Sequence, residues 1–267
     1  GAGSYLGVFG QWFVISEIQG TRKSIGRSAT GGGSATAAVD GADQSNGLEA
    51  QAEAEKERAV QAKIKKDYVG AGKAYVAAAR KFEQSGTDFN RWQAGTAFED
   101  AYKAFNMAKK TSDAIASLEQ AARLFKSSGR QGSKAAGVYN SLGDILKKNN
   151  EGYVANPRRA MEMYKEAAEL YQSDSDRRFI QASVRQAEMA CLCKEWGIAY
   201  DVYQRVVIPE SQSEELLRYT IRDHVFNSIL CHFGATSGDW IVMRRDIDQG
   251  LDLAPDFAGS RGHRLLE

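Results

Sequence analysis

The 267-residue chain has only three cysteines, three prolines and three histidines. Cys191, Cys193 and Cys231 are odd in number and show no Cys-x-x-Cys spacing, which excludes a disulfide framework and a cysteine-based zinc site and makes a reducing compartment the default. An excess of one charge is lacking too. With 35 Lys+Arg against 34 Asp+Glu, the formal charge is +1, so bulk attraction to nucleic acid or anionic lipid is excluded and such binding would need a local patch. No run reaches the ~18 consecutive apolar residues of a membrane span. The nearest, from Tyr5 to Ile18, is interrupted by Gly7, Gly10, Gln11, Ser16 and Glu17 and follows no basic stretch, so neither a span nor a secretory signal is expected there.

Catalytic patterns are equally sparse. His224, His232 and His263 form no His-Glu-x-x-His motif and read as surface or partly packed helix residues, not as metal ligands or bases. The stretch from Gly20 to Ser28 imitates a phosphate loop, but five residues separate its glycines where four are needed, Arg27 stands in place of Lys, and no strand precedes it. Cys191 and Cys193 lie two apart in a helical run and so on different faces, which points to packed structural thiols. No acid/base pair, nucleophile or metal cluster emerges, so neither an enzyme nor a cofactor is expected.

Eleven of the 26 glycines fall in residues 1–50, and residues 26–47 hold almost no large apolar side chain. Such a segment cannot offset its ordering entropy by burial, and it reads as a flexible linker. From Leu48 the composition turns to Ala, Glu, Lys and Gln, all good helix formers.

A repeat then appears, with Ala at i, a large apolar residue at i+4, small residues at i+7 and i+8, and an aromatic at i+11. Three segments match fully: Ala71-Tyr75-Ala78-Ala79-Phe82, Ala114-Leu118-Ala121-Ala122-Phe125 and Ala160-Tyr164-Ala167-Ala168-Tyr171. Ala94-Phe98-Ala101-Tyr102-Phe105 departs at one position, and Ala199-Tyr203-Val206-Val207 starts a fifth copy. At about 100° per residue these positions form one buried stripe. The steps of 43, 46 and 39 residues between copies starting at 71, 114, 160 and 199 leave room for two helices and two turns. The fold class that follows is all-α, a solenoid of tetratricopeptide-like helical hairpins. Gly86, Gly129 and Gly152 punctuate the helical runs, Asn156-Pro157 reads as an N-cap with Pro at the first helical position, and Pro209 is expected to close the helix that starts near Trp196.

Two features could carry binding. Tyr5, Leu6, Val8, Phe9, Trp12 and Phe13 gather ahead of the linker, where they suit either a packed terminal turn or a shallow membrane-insertion loop. Basic residues recur near the ends of the repeat helices: Lys109 and Lys110, Arg130 and Lys134, Lys147 and Lys148, Arg158 and Arg159, then Arg177, Arg178 and Arg185. Singly these are solvated ends that complement the helix dipole, but a solenoid aligns equivalent positions and can sum them into a stripe for an elongated acidic partner.

Residues 71–266 resemble the soluble NSF attachment proteins (SNAPs). The resemblance rests on AGKAYVAAARKF, DAIASLEQAARLFKSSGR, RRAMEMYKEAAELY and YDVYQRV in that order. More specifically it rests on Leu230-Cys231-His232-Phe233 and on the segment from Pro255 through Phe257 to Ser260-Arg261. It implies a right-handed solenoid followed by a C-terminal helical bundle, and an adaptor without catalysis that binds an assembled SNARE four-helix bundle and recruits the NSF-type AAA ATPase. It also implies a cytoplasmic protein, peripheral on membranes, with Tyr5 to Phe13 as membrane-binding residues. Arg130 matches a basic SNARE-facing family position. Other family lysines fall on Asn106, Met107, Ala136 and Ala182, with Lys109, Lys110, Lys134, Arg177, Arg178 and Arg185 close enough to substitute. Asp239 is similar to an acidic residue that faces NSF. The expected organisation is an aromatic loop and linker over 1–47, the solenoid over 48–234, and the start of a truncated C-terminal bundle over 235–267. The alternative is a tetratricopeptide-like peptide-binding adaptor unrelated to SNARE disassembly, for which the inner helices offer no convincing set of Asn/Lys clamps.

Overall fold

Alanine decides how closely these helices pack. In a computed structural model, residues 36–128, 132–150, 153–172 and 176–267 are described, and the chain divides into two units, residues 1–42 and 43–267. The helices are α1 (Thr36–Ile64), α2 (Tyr68–Ser85), α3 (Asp88–Met107), α4 (Thr111–Ser128), α5 (Gly132–Leu146), α6 (Pro157–Tyr171), α7 (Asp176–Leu192), α8 (Trp196–Val202), α9 (Ile208–Ser213), α10 (Ile221–Ala235), α11 (Trp240–Leu253) and α12 (Arg261–Leu266). Among the described residues there is no strand, only an isolated bridge between Asn150 and Tyr153. Consecutive helices from α2 through α8 pack on one another, as stacked hairpins must.

The repeat pattern is the core. Ala71, Tyr75, Ala78, Ala79 and Phe82 are buried, as are the corresponding residues of α4 and α6, and Ala94, Phe98, Ala101 and Phe105 of α3. Glycine extends the logic of small against large. A Cβ on Gly72 would stand 2.6 Å from the Phe105 ring, one on Gly95 2.8 Å from Phe125, and one on Gly143 2.6 Å from Tyr164. Each full burial of such an aromatic contributes roughly 2–3 kcal/mol, so these three contacts anchor successive hairpins.

The turns have a common design. Asp67, Thr87 and Asn156 cap α2, α3 and α6 by accepting from the backbone N–H of Gly70, Asn90 and Arg159 at 2.8, 3.1 and 3.1 Å, and Pro157 follows Asn156 as expected. Gly86 ends α2 in the left-handed region (φ 80°). The turns after α1, α3 and α7 instead place a lysine there: Lys66, Lys109 and Lys194 have φ of 60°, 56° and 60°. In each the paired backbone bonds of a Schellman motif close the helix, for example Lys109 N–H to Asn106 C=O at 3.1 Å and Lys110 N–H to Phe105 C=O at 2.9 Å.

Two expectations need correction. Residues 36–47, read as part of a linker, belong to α1. Once the Ala- and Glu-rich stretch after Leu48 has nucleated, extending the helix backwards costs less than starting a new one, and Ala37 and Ala38 favour it. Residues 26–35 lie outside the described residues. Pro209 does not close the helix from Trp196 either. A π-helical turn, Tyr203–Val207, intervenes, with Ile208 N–H bonded to the Tyr203 carbonyl, and α9 carries Pro209 in its first turn. The wide turn relieves the clash that the pyrrolidine ring would otherwise make with the preceding turn.

Candidate interaction surface

Charged residues on this scaffold pair across repeats. Arg123 on α4 donates to Glu83 on α2 at 2.8 Å, Lys126 on α4 pairs with Glu166 on α6, Arg159 on α6 with Glu119 on α4, and Arg158 on α6 with Glu195 ahead of α8. Lys81 on α2 lies 3.8 Å from Glu55 on α1. The second helices of the hairpins form a parallel set: Lys134 on α5 lies 2.6 Å from Glu99 on α3, and Arg185 on α7 reaches Asn140 and Asp144 on α5 at 3.0 and 3.3 Å. Two ladders of ion pairs therefore run along the two ranks of helices. Individually such partly exposed pairs contribute about 0–1 kcal/mol, but they hold successive repeats in register.

The ladders change the reading of the basic stripe. Lys134 and Arg185 are engaged with carboxylates of the neighbouring repeat, and both also stand over aromatic rings, Lys134 at 5.4 Å from the Phe125 centroid and Arg185 at 5.8 Å from Tyr164. Asp144 accepts from the Tyr164 hydroxyl at 2.8 Å and pairs with Lys147 at 2.8 Å. Although burial opposes it, hydrogen bonds from Lys147 and Tyr164 and the charge of Arg185 hold its carboxyl below the ordinary range, while burial pushes the Tyr164 phenol up to about 12. Lys109 and Lys110 occupy the α3–α4 turn, and Arg177 and Arg178 are exposed in the first turn of α7, with Arg178 at 5.6 Å from the Tyr171 ring. Arg130 lies outside the described residues, as do Tyr5, Leu6, Val8, Phe9, Trp12 and Phe13.

A groove of about 670 Å³ lies along the first helices. Val76, Phe98 and Phe105 give it an apolar floor, and Lys73 and Arg80 on α2 stand at its rim, opposite Asp113 and Gln120 on α4. Both cations are exposed, and no carboxylate among the described residues is within ion-pair distance of either. Sequence reasoning passed over them. Their spacing of seven, which returns to the same face after two turns, was the available signal.

The two most specific sequence segments prove to be structural. Cys231 is buried, His232 stacks on Tyr200 with ring centroids 4.0 Å apart and pairs with Asp246 at 2.5 Å, and Phe233 packs on Trp240. Phe257 is buried and Ser260 caps α12 through the His263 N–H at 3.1 Å. Asp239 is exposed and caps α11, its Oδ1 accepting from the N–H groups of Ile241 and Val242 at 2.9 and 3.2 Å. Cys193 is half-buried, and the thiols of Cys191 and Cys231 meet across α7 and α10. Among the described residues, no three His, Cys, Asp or Glu side chains are grouped to hold a metal, and no helix is long and apolar enough to cross a membrane.

A family model described as "Soluble NSF attachment protein, SNAP" matches residues 27–267. The chain is 30% identical over 208 residues to the "Probable vesicular-fusion protein sec17 homolog" of Schizosaccharomyces pombe, a match covering 77% of this chain and 67% of that protein. It is 29% identical to the alpha-soluble NSF attachment protein of Vitis vinifera (76% and 66% covered) and 28% identical to that of Saccharomyces cerevisiae (77% and 67%). It thus spans about two thirds of the length of these relatives. A match of this extent, on a fold whose buried positions are those of the repeat, assigns the family: the chain belongs to the soluble NSF attachment proteins.

Proposed function

We infer that this chain is a SNAP-type adaptor, which binds assembled SNARE complexes and recruits the NSF ATPase that disassembles them in vesicle fusion and intracellular transport. The match to the family over residues 27–267 carries this reading. It works by surface complementarity, not by chemistry. An acidic four-helix bundle is steered by cations on the repeats, and Lys73 and Arg80, which flank the groove without an ion pair among the described residues, contribute because no carboxylate must be given up on docking. Lys109, Lys110, Arg130, Arg177 and Arg178 extend the contact, while Lys134 and Arg185 position it through their ladder pairs. Asp239 faces NSF, and the aromatic cluster from Tyr5 to Phe13 adds a weak peripheral membrane anchor that raises avidity.

The test is a pull-down of this chain on an assembled SNARE bundle at low and high salt, with NSF and a non-hydrolysable ATP analogue added second. Salt-sensitive capture of the chain, followed by capture of NSF, is the expected result. Failure to bind the bundle at low salt overturns the adaptor reading. Unchanged binding by a Lys73→Glu, Arg80→Glu double variant overturns the proposed role of the groove.

A further inference from the structure

Two of the three cysteines meet across elements that the sequence separates by 40 residues. Cys191 sits in the last turn of α7 and Cys231 in the middle of α10, with their sulfurs 3.4 Å apart. Their environments differ. Cys231 is buried among Ala187, Ala190, Tyr203 and Val207, whereas Cys191 is only partly covered; both line an open cavity of about 510 Å³ with Glu188, Leu192, Trp196 and Leu230. A small oxidant entering this cavity therefore meets the less covered sulfur, that of Cys191, more readily than the buried one.

We propose that Cys191 and Cys231 form a reversible redox site, in which peroxide oxidises Cys191 and Cys231 resolves the product into a disulfide that staples α7 to α10. The Cys191 thiolate attacks one oxygen of hydrogen peroxide, giving Cys191 sulfenic acid, and the departing hydroxide is protonated to water. The Cys231 sulfur then attacks the Cys191 sulfur. The S–O bond breaks, the hydroxide leaves with the Cys231 proton as a second water, and the two thiols have lost two electrons to the peroxide. The roles follow from the geometry, and proton affinities agree. The hydrogen bond between the two sulfurs draws the Cys191 thiol below its ordinary range against the opposing effects of burial and Glu188, while the same bond and burial push Cys231 up. The less covered sulfur is thus the nucleophile and the buried one keeps its proton for the leaving group. Cys193, two residues on and on another face of the helix end, has no sulfur partner among the described residues.

The staple would fix the last solenoid hairpin to the helices that follow it, in a compartment where only an oxidative burst makes it. To test this, the full chain is treated with hydrogen peroxide, quenched with an alkylating agent and mapped as non-reduced peptides. The expected product is a Cys191–Cys231 cross-linked peptide that dithiothreitol reverses, with Cys193 still open to alkylation and a thermal midpoint higher by several degrees. In Cys231→Ala the reaction stops at Cys191 sulfenic acid, which dimedone traps. The proposal is overturned if Cys193 oxidises first. It also falls if Cys191 accumulates sulfenic acid in the unsubstituted chain while Cys231 remains alkylatable, a result independent of whether any variant folds.

Discussion

Gly143→Ala places a methyl group where the structure has a tyrosine ring. In an exposed helix the substitution would stabilise by about 1 kcal/mol, because Ala loses less backbone entropy than Gly. Here the new Cβ would stand 2.6 Å from Tyr164 Cε1 and 2.7 Å from Cζ, so the ring must retreat by ~1 Å to reach ordinary contact. It has nowhere to go. Tyr164 is 0% exposed, its hydroxyl donates to Asp144 at 2.8 Å, and Lys147 and Arg185 stand 5.5 and 5.8 Å from its ring centroid. Overpacking costs about 1–3 kcal/mol, and loosening the hydroxyl bond adds about 1 more. The clash therefore exceeds the helix gain, for a net loss of roughly 1–3 kcal/mol. For a unit of this size that lowers the thermal midpoint by about 2–12 °C. Gly47→Ala is the control. Gly47 also lies inside a helix, but a Cβ there meets nothing within 4 Å, so the same substitution is expected to stabilise. Calorimetry on both variants reads the sign. If Gly143→Ala raises the midpoint as Gly47→Ala does, the idea that glycine admits the aromatics of the next helix is wrong.

The left-handed lysines make a prediction for stability. Lys66→Gly removes a Cβ from φ 60° and is expected to stabilise by about 1 kcal/mol in denaturant unfolding; a destabilised variant would refute the turn assignment. Asp239 separates capping from recruitment: Asp239→Ala loses about 1 kcal/mol, Asp239→Ser restores most of it, and only an NSF-facing role predicts that Ser still binds NSF poorly. His224 is held below its ordinary pKa, chiefly by burial and against the charge of Asp223, and its Nδ1 is buried without a partner. Below pH about 6.5 the unfolded chain takes up a proton that the folded chain refuses, so stability is full above that value and declines as pH falls toward the folded-state pKa. Thermal midpoints measured from pH 7 to 5 are expected to fall less steeply in His224→Phe, and identical slopes would show that this histidine is not responsible.

The apolar repeat and the charge ladders have the same period, yet only the first was legible. Ala71, Ala114 and Ala160 could be found by writing the chain against itself, because burial accepts a few residue types and each copy repeats them. The ladders repeat a relation and not a residue. Arg123–Glu83, Lys126–Glu166 and Arg159–Glu119 all span 40 residues, but cation and carboxylate exchange places from one rung to the next, so no aligned column shows them. Searching for opposite charges one repeat apart would have recovered these rungs. The structure adds what such a search would not: Lys134 and Arg185 enter a basic stripe already paired, whereas Lys73 and Arg80 enter it free of any ion pair among the described residues. A solenoid brings most readily to a partner those charges that its own neighbouring repeats have left unmatched, because a paired cation must first lose its internal carboxylate and pay for that in affinity. On the proposed function, the binding surface would then follow the defects in the ladder. Filling one, by Gln120→Glu opposite Lys73 and Arg80 across the groove, is expected to weaken salt-sensitive binding without loss of fold. Unchanged binding in a folded Gln120→Glu variant would show that the free cations do not select the partner.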